Sequence, residues 1–420
     1  MTSDPRRAAL DILVQLESSP VTLDRLMDSL HARSAFSPRD ARFIHAMVYG
    51  VQRWRNRLDA AIGALSTKPP RMTDLHVTNI IRLGLYQLQE MDRVPDAAAV
   101  HTAVDLARQV KRDWASGYIN AVLRRALREP QSMTAAPPAN DPVKRLAVQQ
   151  SFPAWMISRW QDRLGWQQTE MLCRAANRIP PLVLRTNFLK TTRAALIDDL
   201  KSLAPQIRRS AYTPAGLLID RLTDGIFVSP PFHAGAFQVQ DEAAQTVGYL
   251  TNAQPEENIL DACAGLGGKT AHLAEIMKNR GRIMAVDRDN RKLKRLQTEM
   301  QRLGIDIVQT RTLDWLGTSA IDFPVHFDRI LLDAPCSGMG VLRRNPDAKW
   351  KRKPKAFKRY RASQRKMLAN LIPYLKPRGV LVYAVCSTEP EETGEVIQWF
   401  LKNHPQFVID GLPSSLPAPM

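Results

Sequence analysis

The chain has 420 residues, 44% of them hydrophobic and 24% charged, with a net charge of +18 and a pI near 10.0. That length exceeds one ordinary core and predicts two or three domains, while the composition excludes a disordered chain. So large a cationic excess calls for a polyanion partner, nucleic acid ahead of an anionic membrane surface, and no apolar run approaches the ~20 residues that span a bilayer. The opening Met1-Thr2-Ser3-Asp4-Pro5-Arg6-Arg7 leads into an amphipathic helix instead of a signal-peptide apolar region. A soluble, cytoplasmic protein is expected.

Residues 1–130 read as an all-α bundle. After Ser37-Pro38, apolar residues recur at Phe43, Met47, Val51, Trp54, Leu58, Ile62 and Leu65, the three- and four-residue steps of one helix face. Ser37 is its expected N-cap, with Pro38 at the first helical position and Asp40 in the first turn. Further stripes run through Leu75 to Leu88, Ala97 to Val110 and Tyr118 to Leu127. Residues 131–142, rich in proline, read as a linker. Residues 143–232 form a small α+β unit, with helices around Trp155, Trp160 and Trp166, a strand at Leu182 to Asn187, a helix at Arg193 to Leu203 and a strand pair near Gly216 to Val228. In 233–410 strands and helices alternate strictly from about Ala253, and 411–420 is a tail. Such alternation implies a parallel sheet covered on both faces, with ligands at the carboxyl ends of its strands.

The strand Asn258 to Ala262 leads into Cys263-Ala264-Gly265-Leu266-Gly267-Gly268-Lys269. Glycines at such a turn let the backbone approach a ligand closely. Asp287 closes the next strand nineteen residues beyond Gly268, where its carboxylate can accept from ribose hydroxyls. The G-x-G-x-x-G of dinucleotide sites is absent. Asp314, near the end of the following strand region, is a candidate for the adenine side, against the plain reading of a loop carboxylate.

Four cysteines lie far apart with no C-x-x-C pair, which argues against zinc and against a disulfide framework. Cys173 reads as a small buried hydrophobe. Cys336 and Cys386 are different: each follows an apolar strand, Ile330-Leu331-Leu332 and Val380 to Val385, on the same edge as the glycine turn. Cytosine C5 is a poor nucleophile. A thiolate added at C6 makes the ring enamine-like, so that C5 attacks a methyl sulfonium, and an acid near N3 offsets the charge that builds there.

Cys263 to Lys269, Asp287, Asp333-Ala334-Pro335-Cys336-Ser337-Gly338 and Tyr383 to Ser387 together resemble the RNA 5-methylcytidine methyltransferases. The helical front end is similar to the NusB domain, a combination found in the RsmB (Fmu/Sun) family of bacterial 16S rRNA cytosine-C5 methyltransferases. The resemblance covers nearly the whole chain. It implies a multidomain fold: an all-α NusB-like RNA-binding bundle, then a Rossmann-like α/β class I methyltransferase domain, with a small α+β RNA-binding subdomain. It also implies S-adenosyl-L-methionine as cofactor and small-subunit ribosomal RNA as partner; from the residues themselves no metal, no membrane and a monomer are expected. In that family Cys386 matches the nucleophile, Cys336 the cysteine that assists product release, and Asp333 the contact to cytosine N3. Cys263, Ala264, Gly265, Leu266, Gly267, Gly268, Lys269, Asp287, Asp314 and Asp333 match the cofactor-binding set, with Cys263 lining the turn through its backbone.

Three departures accompany the resemblance. Gly265 and Leu266 stand where the family has alanine and proline, which should loosen the turn while leaving its backbone donors. Val385 replaces a threonine before the nucleophile. The closing antiparallel strand pair is missing after Pro405 to Asp410, which leaves a sheet edge to be uncovered. Between Arg343 and Lys366 twelve lysines and arginines face one acid, Asp347, with Trp350, Phe357 and Tyr360 interleaved. Phosphate neutralisation and base stacking suit looped RNA, so Arg343, Arg344, Lys349 and Trp350 are expected to touch substrate. The alternatives are a solvated basic helix face with core aromatics, a non-enzymatic NusB-like RNA-binding factor, a transfer RNA methyltransferase, and a nicotinamide dehydrogenase, which explains neither cysteine motif.

Overall fold

The computed structural model describes residues 4–33, 36–66, 74–134, 140–220, 225–317, 323 and 325–411. Residues 135–139 of the expected linker and 412–420 of the expected tail lie outside them. The chain divides into two compact units, Met1–Ile179 with Val341–Arg352, and Pro180–Gly340 with Lys353–Met420. Among the described residues no helix is long and apolar enough to cross a membrane.

The first unit is helical: α1 (Pro5–Ser18), α2 (Leu23–Arg33), α3 (Pro38–Leu65), α4 (Leu75–Glu90), α5 (Asp96–Gln109), α6 (Ser116–Arg128), α7 (Pro130–Thr134), α8 (Pro142–Gln149) and α9 (Ala154–Asn177). The Ser37 hydroxyl accepts from the Asp40 N–H at 3.2 Å, so α3 starts where its capping residues predict. Its apolar stripe (Met47, Val51, Leu58, Ile62, Leu65) is buried against Leu10, Leu13, Ile80, Leu85 and Leu123 of the neighbouring helices. Buried Arg82 joins Asp59 through two hydrogen bonds of 2.6 and 2.8 Å and Glu17 at 2.7 Å. α9 is kinked at Gly165, whose φ of +75° no helix interior accommodates. α8 and α9 fall in the helical unit, as does the returning segment Val341–Arg352.

The second unit holds two sheets. In the smaller, β1 (Leu182–Thr186), β2 (Ile207–Arg209), β3 (Gly216–Ile219) and β4 (Phe237–Val239) run in the order β2-β3-β1-β4, all pairs antiparallel. Leu196 and Leu200 of α10 (Arg193–Leu200) pack on Leu184, Leu217 and Phe237. The expected strand pair at 216–228 is one strand, because Ile226–Val228 forms a 3-10 turn. The short α11 (Pro230–His233) and α12 (Glu242–Thr251) lead to the second sheet.

That sheet is wholly parallel, β7-β6-β5-β8-β9, built from β5 (Asn258–Asp261), β6 (Arg282–Asp287), β7 (Val308–Thr312), β8 (Phe327–Asp333) and β9 (Leu375–Ala384). Its crossover helices are α13 (Gly268–Ile276), α14 (Asn290–Leu303) and α16 (Lys355–Leu371); α17 (Gly394–Asn403) follows the last strand, and α15 is the single turn Ala348–Lys351 in the returning segment. Side chains alternate across a strand, and both faces are apolar here. Ile259, Ile283, Ala285 and Leu331 meet α13 and α14, while Leu260, Val286, Ile330 and Leu332 meet α16 and α17. No strand pairs with the outer side of β9 among the described residues, and its residues are only half-buried.

Candidate active site

Three carboxylates end three adjacent strands: Asp261 on β5, Asp287 on β6 and Asp333 on β8. Between β5 and α13 the chain turns through Cys263 to Gly267, pinned by Ala262 N–H to Leu331 O and Ala264 N–H to Val286 O, both 2.8 Å. Gly267 has φ +85°, and a Cβ there would lie 2.6 Å from Leu296 Cγ, so only glycine fits. Gly265 has φ +58° but open space where a Cβ would stand. Its N–H donates to Asp287 Oδ2 at 3.0 Å, while the Asp289 N–H donates to Oδ1 at 2.8 Å. Leu266, which replaces the expected proline, is exposed. Arg288 to Arg291 and Thr312 to Asp314 line a recess beside this turn, so Asp314 lies near Asp287's end of the sheet.

The interior of the turn is electrostatically loaded. Asp261 is buried, accepts from the Thr270 hydroxyl at 2.7 Å, and has its carboxyl pushed up to about 6, chiefly by burial and further by Asp333. Lys269 Nζ sits 2.6 Å from Asp333 Oδ2, tying the turn to the end of β8. Cys263 is half-buried with its thiol pushed well up by burial and three carboxylates, so it stays protonated. Cys173 is buried with its thiol pushed up to about 12 by burial, as a packing residue should be.

Cys336 and Cys386 come together, with Sγ atoms 3.1 Å apart. The register Asp333↔Ala384 sets their loops side by side, and Gly340 N–H donates to Cys386 O at 3.0 Å. Cys386 is exposed and its thiol is lowered, first by the hydrogen bond from Cys336 and also by Lys269, against burial and Asp333. Cys336 is raised by the same hydrogen bond and by burial. The contact therefore favours the thiolate on the exposed sulfur over the buried one.

Sequence reasoning missed the group behind this pair. Ser337 and Ser387, the residues following each cysteine, both donate hydroxyls to the wholly buried carboxylate of Glu392. Glu392 lies in the acidic run Glu389-Pro390-Glu391-Glu392, which reads as an ordinary helix start; Glu389 is buried too, and it is the bonds from Ser337 and Ser387 that single Glu392 out.

The expected RNA contacts divide. Lys349 is fully buried in the helical unit, its ammonium donating to Arg53 O and Ser151 O at 3.1 Å and to Asn177 Oδ1 at 2.7 Å. It is an internal pin and touches no solvent, which corrects the expectation of a phosphate contact. The Trp350 indole N–H donates to Gln52 O at 2.8 Å, with the Arg55 guanidinium over its ring, so this side chain is also engaged within the unit. Phe357 is a core residue, whereas Arg343 and Arg344 are half-exposed.

A parallel sheet with a glycine turn after its first strand, an acid ending the second and open space beside the turn fits a nucleoside sulfonium, and these features define an S-adenosylmethionine-dependent methyltransferase. Residues 248–416 match the family described as 16S rRNA methyltransferase RsmB/F, residues 3–128 the NusB family, and residues 152–224 the ferredoxin-like domain of the RsmF/B-like methyltransferases. The chain belongs to the RsmB/F family. It is 38% identical to the probable ribosomal RNA small subunit methyltransferase B of Synechocystis sp. over 95% of this chain and 89% of that one. It is 33% identical to the probable ribosomal RNA small subunit methyltransferase B of Bacillus subtilis over 96% and 90%. The crystal structure of PH0851 superimposes with a TM-score of 0.78 at 25% identity, covering 99% of this chain and 93% of the other.

Proposed function

We propose that this chain transfers the methyl group of S-adenosylmethionine to C5 of a specific cytosine in 16S ribosomal RNA, through a covalent bond between Cys386 and C6. One observation carries this reading: two cysteine sulfurs 3.1 Å apart at the ends of adjacent strands, with the Lys269–Asp333 pair beside Cys386. The names of the relatives, small-subunit ribosomal RNA methyltransferases, support the substrate class.

The cofactor would supply an electrophilic methyl, and the turn Cys263 to Lys269, with Asp287 and Asp314, would hold it. The Cys386 thiolate forms the S–C6 bond, and the electron pair displaced from the C5–C6 double bond makes C5 nucleophilic. Asp333 contacts N3, with the Lys269 ammonium adjacent to offset charge on the ring. After methylation, loss of the C5 proton returns an electron pair to the ring and breaks the S–C6 bond. Cys336, whose sulfur lies 3.1 Å from that of Cys386, assists that release. The target base leaves its stack to reach the thiol, and Arg343 and Arg344 contact the RNA backbone.

Bisulfite sequencing of ribosomal RNA from a Cys386→Ala strain tests the proposal. One protected cytosine should become convertible, and an unchanged pattern would contradict it. Cys336→Ala should accumulate a gel-stable protein–RNA adduct.

A further inference from the structure

Glu392 is wholly buried, yet its carboxylate meets four neutral donors instead of a cation. The Ser337 N–H donates to Oε1 at 2.8 Å and the Gln364 side-chain amide donates to the same oxygen at 3.2 Å. The Ser337 and Ser387 hydroxyls both donate to Oε2, the latter at 2.6 Å, and the two hydroxyl oxygens lie 3.1 Å apart. Gln364 also donates to Pro335 O at 3.1 Å, and the Tyr383 hydroxyl donates to Glu392 O at 2.7 Å. One carboxylate thus gathers α16 and the residues that directly follow both cysteines, while the backbone carbonyl of the same residue holds Tyr383 of β9. A buried carboxylate without a counter-ion is costly unless every lone pair is used, and what this one gains is a fixed distance between two loops.

We propose that Glu392 is the positioning residue that sets the separation of the Cys336 and Cys386 sulfurs, by clamping Ser337 and Ser387 onto one carboxylate. The inference deepens the proposed function, because it rests on the contact of the two sulfurs that the mechanism uses, but it concerns geometry and is tested without methyl transfer. Glutamine satisfies the same four groups: its oxygen accepts from the Ser337 N–H and Gln364, while its NH2 donates to two hydroxyls that can turn to accept. Alanine satisfies none, and aspartate falls one methylene short.

The test is the effective molarity of the thiol pair in the full-length protein, read from its equilibrium with glutathione. Two protein thiols and one oxidised glutathione give one protein disulfide and two reduced glutathiones, with the Cys336–Cys386 link identified by peptide mass. Glu392→Ala should lower the effective molarity about tenfold or more, the equivalent of losing one or more hydrogen bonds to a charged group. Glu392→Gln should stay within about threefold of the unsubstituted protein, because its hydrogen-bond count is preserved. An unchanged value in Glu392→Ala would overturn the proposal, as would an equal fall in alanine and glutamine variants. Should Glu392→Ala not fold, Ser387→Ala removes one arm of the clamp and must lower the value, and no change there is equally fatal. A normal effective molarity response in a protein that methylates no cytosine would refute the proposed function and leave this inference standing.

Discussion

Lys269 and Asp333 form an ion pair at 2.6 Å between the first helical turn after the glycine loop and the end of the strand that carries the Cys336 motif. Both act on the Cys386 thiol, with opposite signs: Lys269 lowers it and Asp333 raises it. Replacing Lys269 by methionine removes a cation that favours the thiolate, so the profile of Cys386 alkylation moves to higher pH. Iodoacetamide labelling at pH 7 should slow roughly several-fold. Asp333→Asn should move the profile the other way while abolishing methyl transfer, since the ring contact is lost. Both variants shifting in one direction would refute the electrostatic reading.

Asp261 gives the methyltransferase unit a pH dependence opposite to that of an ordinary carboxylate. Its folded value of about 6 lies above the 3.8 of an ordinary aspartate. The folded state therefore binds the proton more tightly, and its stability contribution is full below pH 4 and is lost as pH rises through 6. Asp261→Asn should flatten that slope and gain up to about 3 kcal/mol at pH 8. Urea denaturation at pH 5 and pH 8 measures both values.

Arg185 of β1 is wholly buried and ties the small sheet to the cofactor turn. It bonds Glu275 at 2.7 and 3.2 Å, Gln238 at 2.9 Å and the Gly268 carbonyl at 2.8 Å. Arg185→Met leaves Glu275 buried and unpaired and should cost about 3–5 kcal/mol. Adding Glu275→Leu should restore most of that stability, while cofactor affinity should stay reduced, because the Gly268 carbonyl at the proposed cofactor turn has lost its donor. Calorimetry with S-adenosylmethionine separates the two effects.

The two glycines of the turn should respond differently. Gly267→Ala combines a positive φ with a clash against Leu296 and should weaken S-adenosylmethionine binding by tenfold or more, on the order of 1.4 kcal/mol. Gly265→Ala meets only backbone strain of about 1 kcal/mol and should bind nearly as well.

Lys349 and Arg344 stand six residues or fewer apart in a basic run but should behave as different kinds of residue. Lys349→Ala strands three buried oxygens and should lower the stability of the helical unit by several kcal/mol, roughly 1–3 for each group left unpaired. The salt dependence of RNA binding should not change. Arg344→Ala should leave stability intact and reduce that slope by about one.

What the sequence made legible followed from local rules. Ser37 and Pro38 announced α3, the triplet Ile330-Leu331-Leu332 announced a strand buried on both faces, and the glycine turn followed by Asp287 announced the carboxyl edge of the sheet. Non-local packing was hidden. Lys349 lies in a run of cations that charge counting reads as a surface, and nothing local says that its ammonium finds three oxygens from distant helices. Glu392 was hidden for the same reason, since an acid after proline is an ordinary helix start until its burial is seen. The short strands β2 and β4, three residues each, carry too few alternating positions to stand out.

The central claim is replacement of hydrogen at cytosine C5 through Cys386. The most direct measurement is tritium release from 16S ribosomal RNA labelled at cytosine C5, followed alongside methyl incorporation from S-adenosylmethionine. The account predicts one tritium released per methyl incorporated, dependent on the cofactor, and neither event in Cys386→Ala. Methyl incorporation without tritium release, or full release by Cys386→Ala, would contradict it.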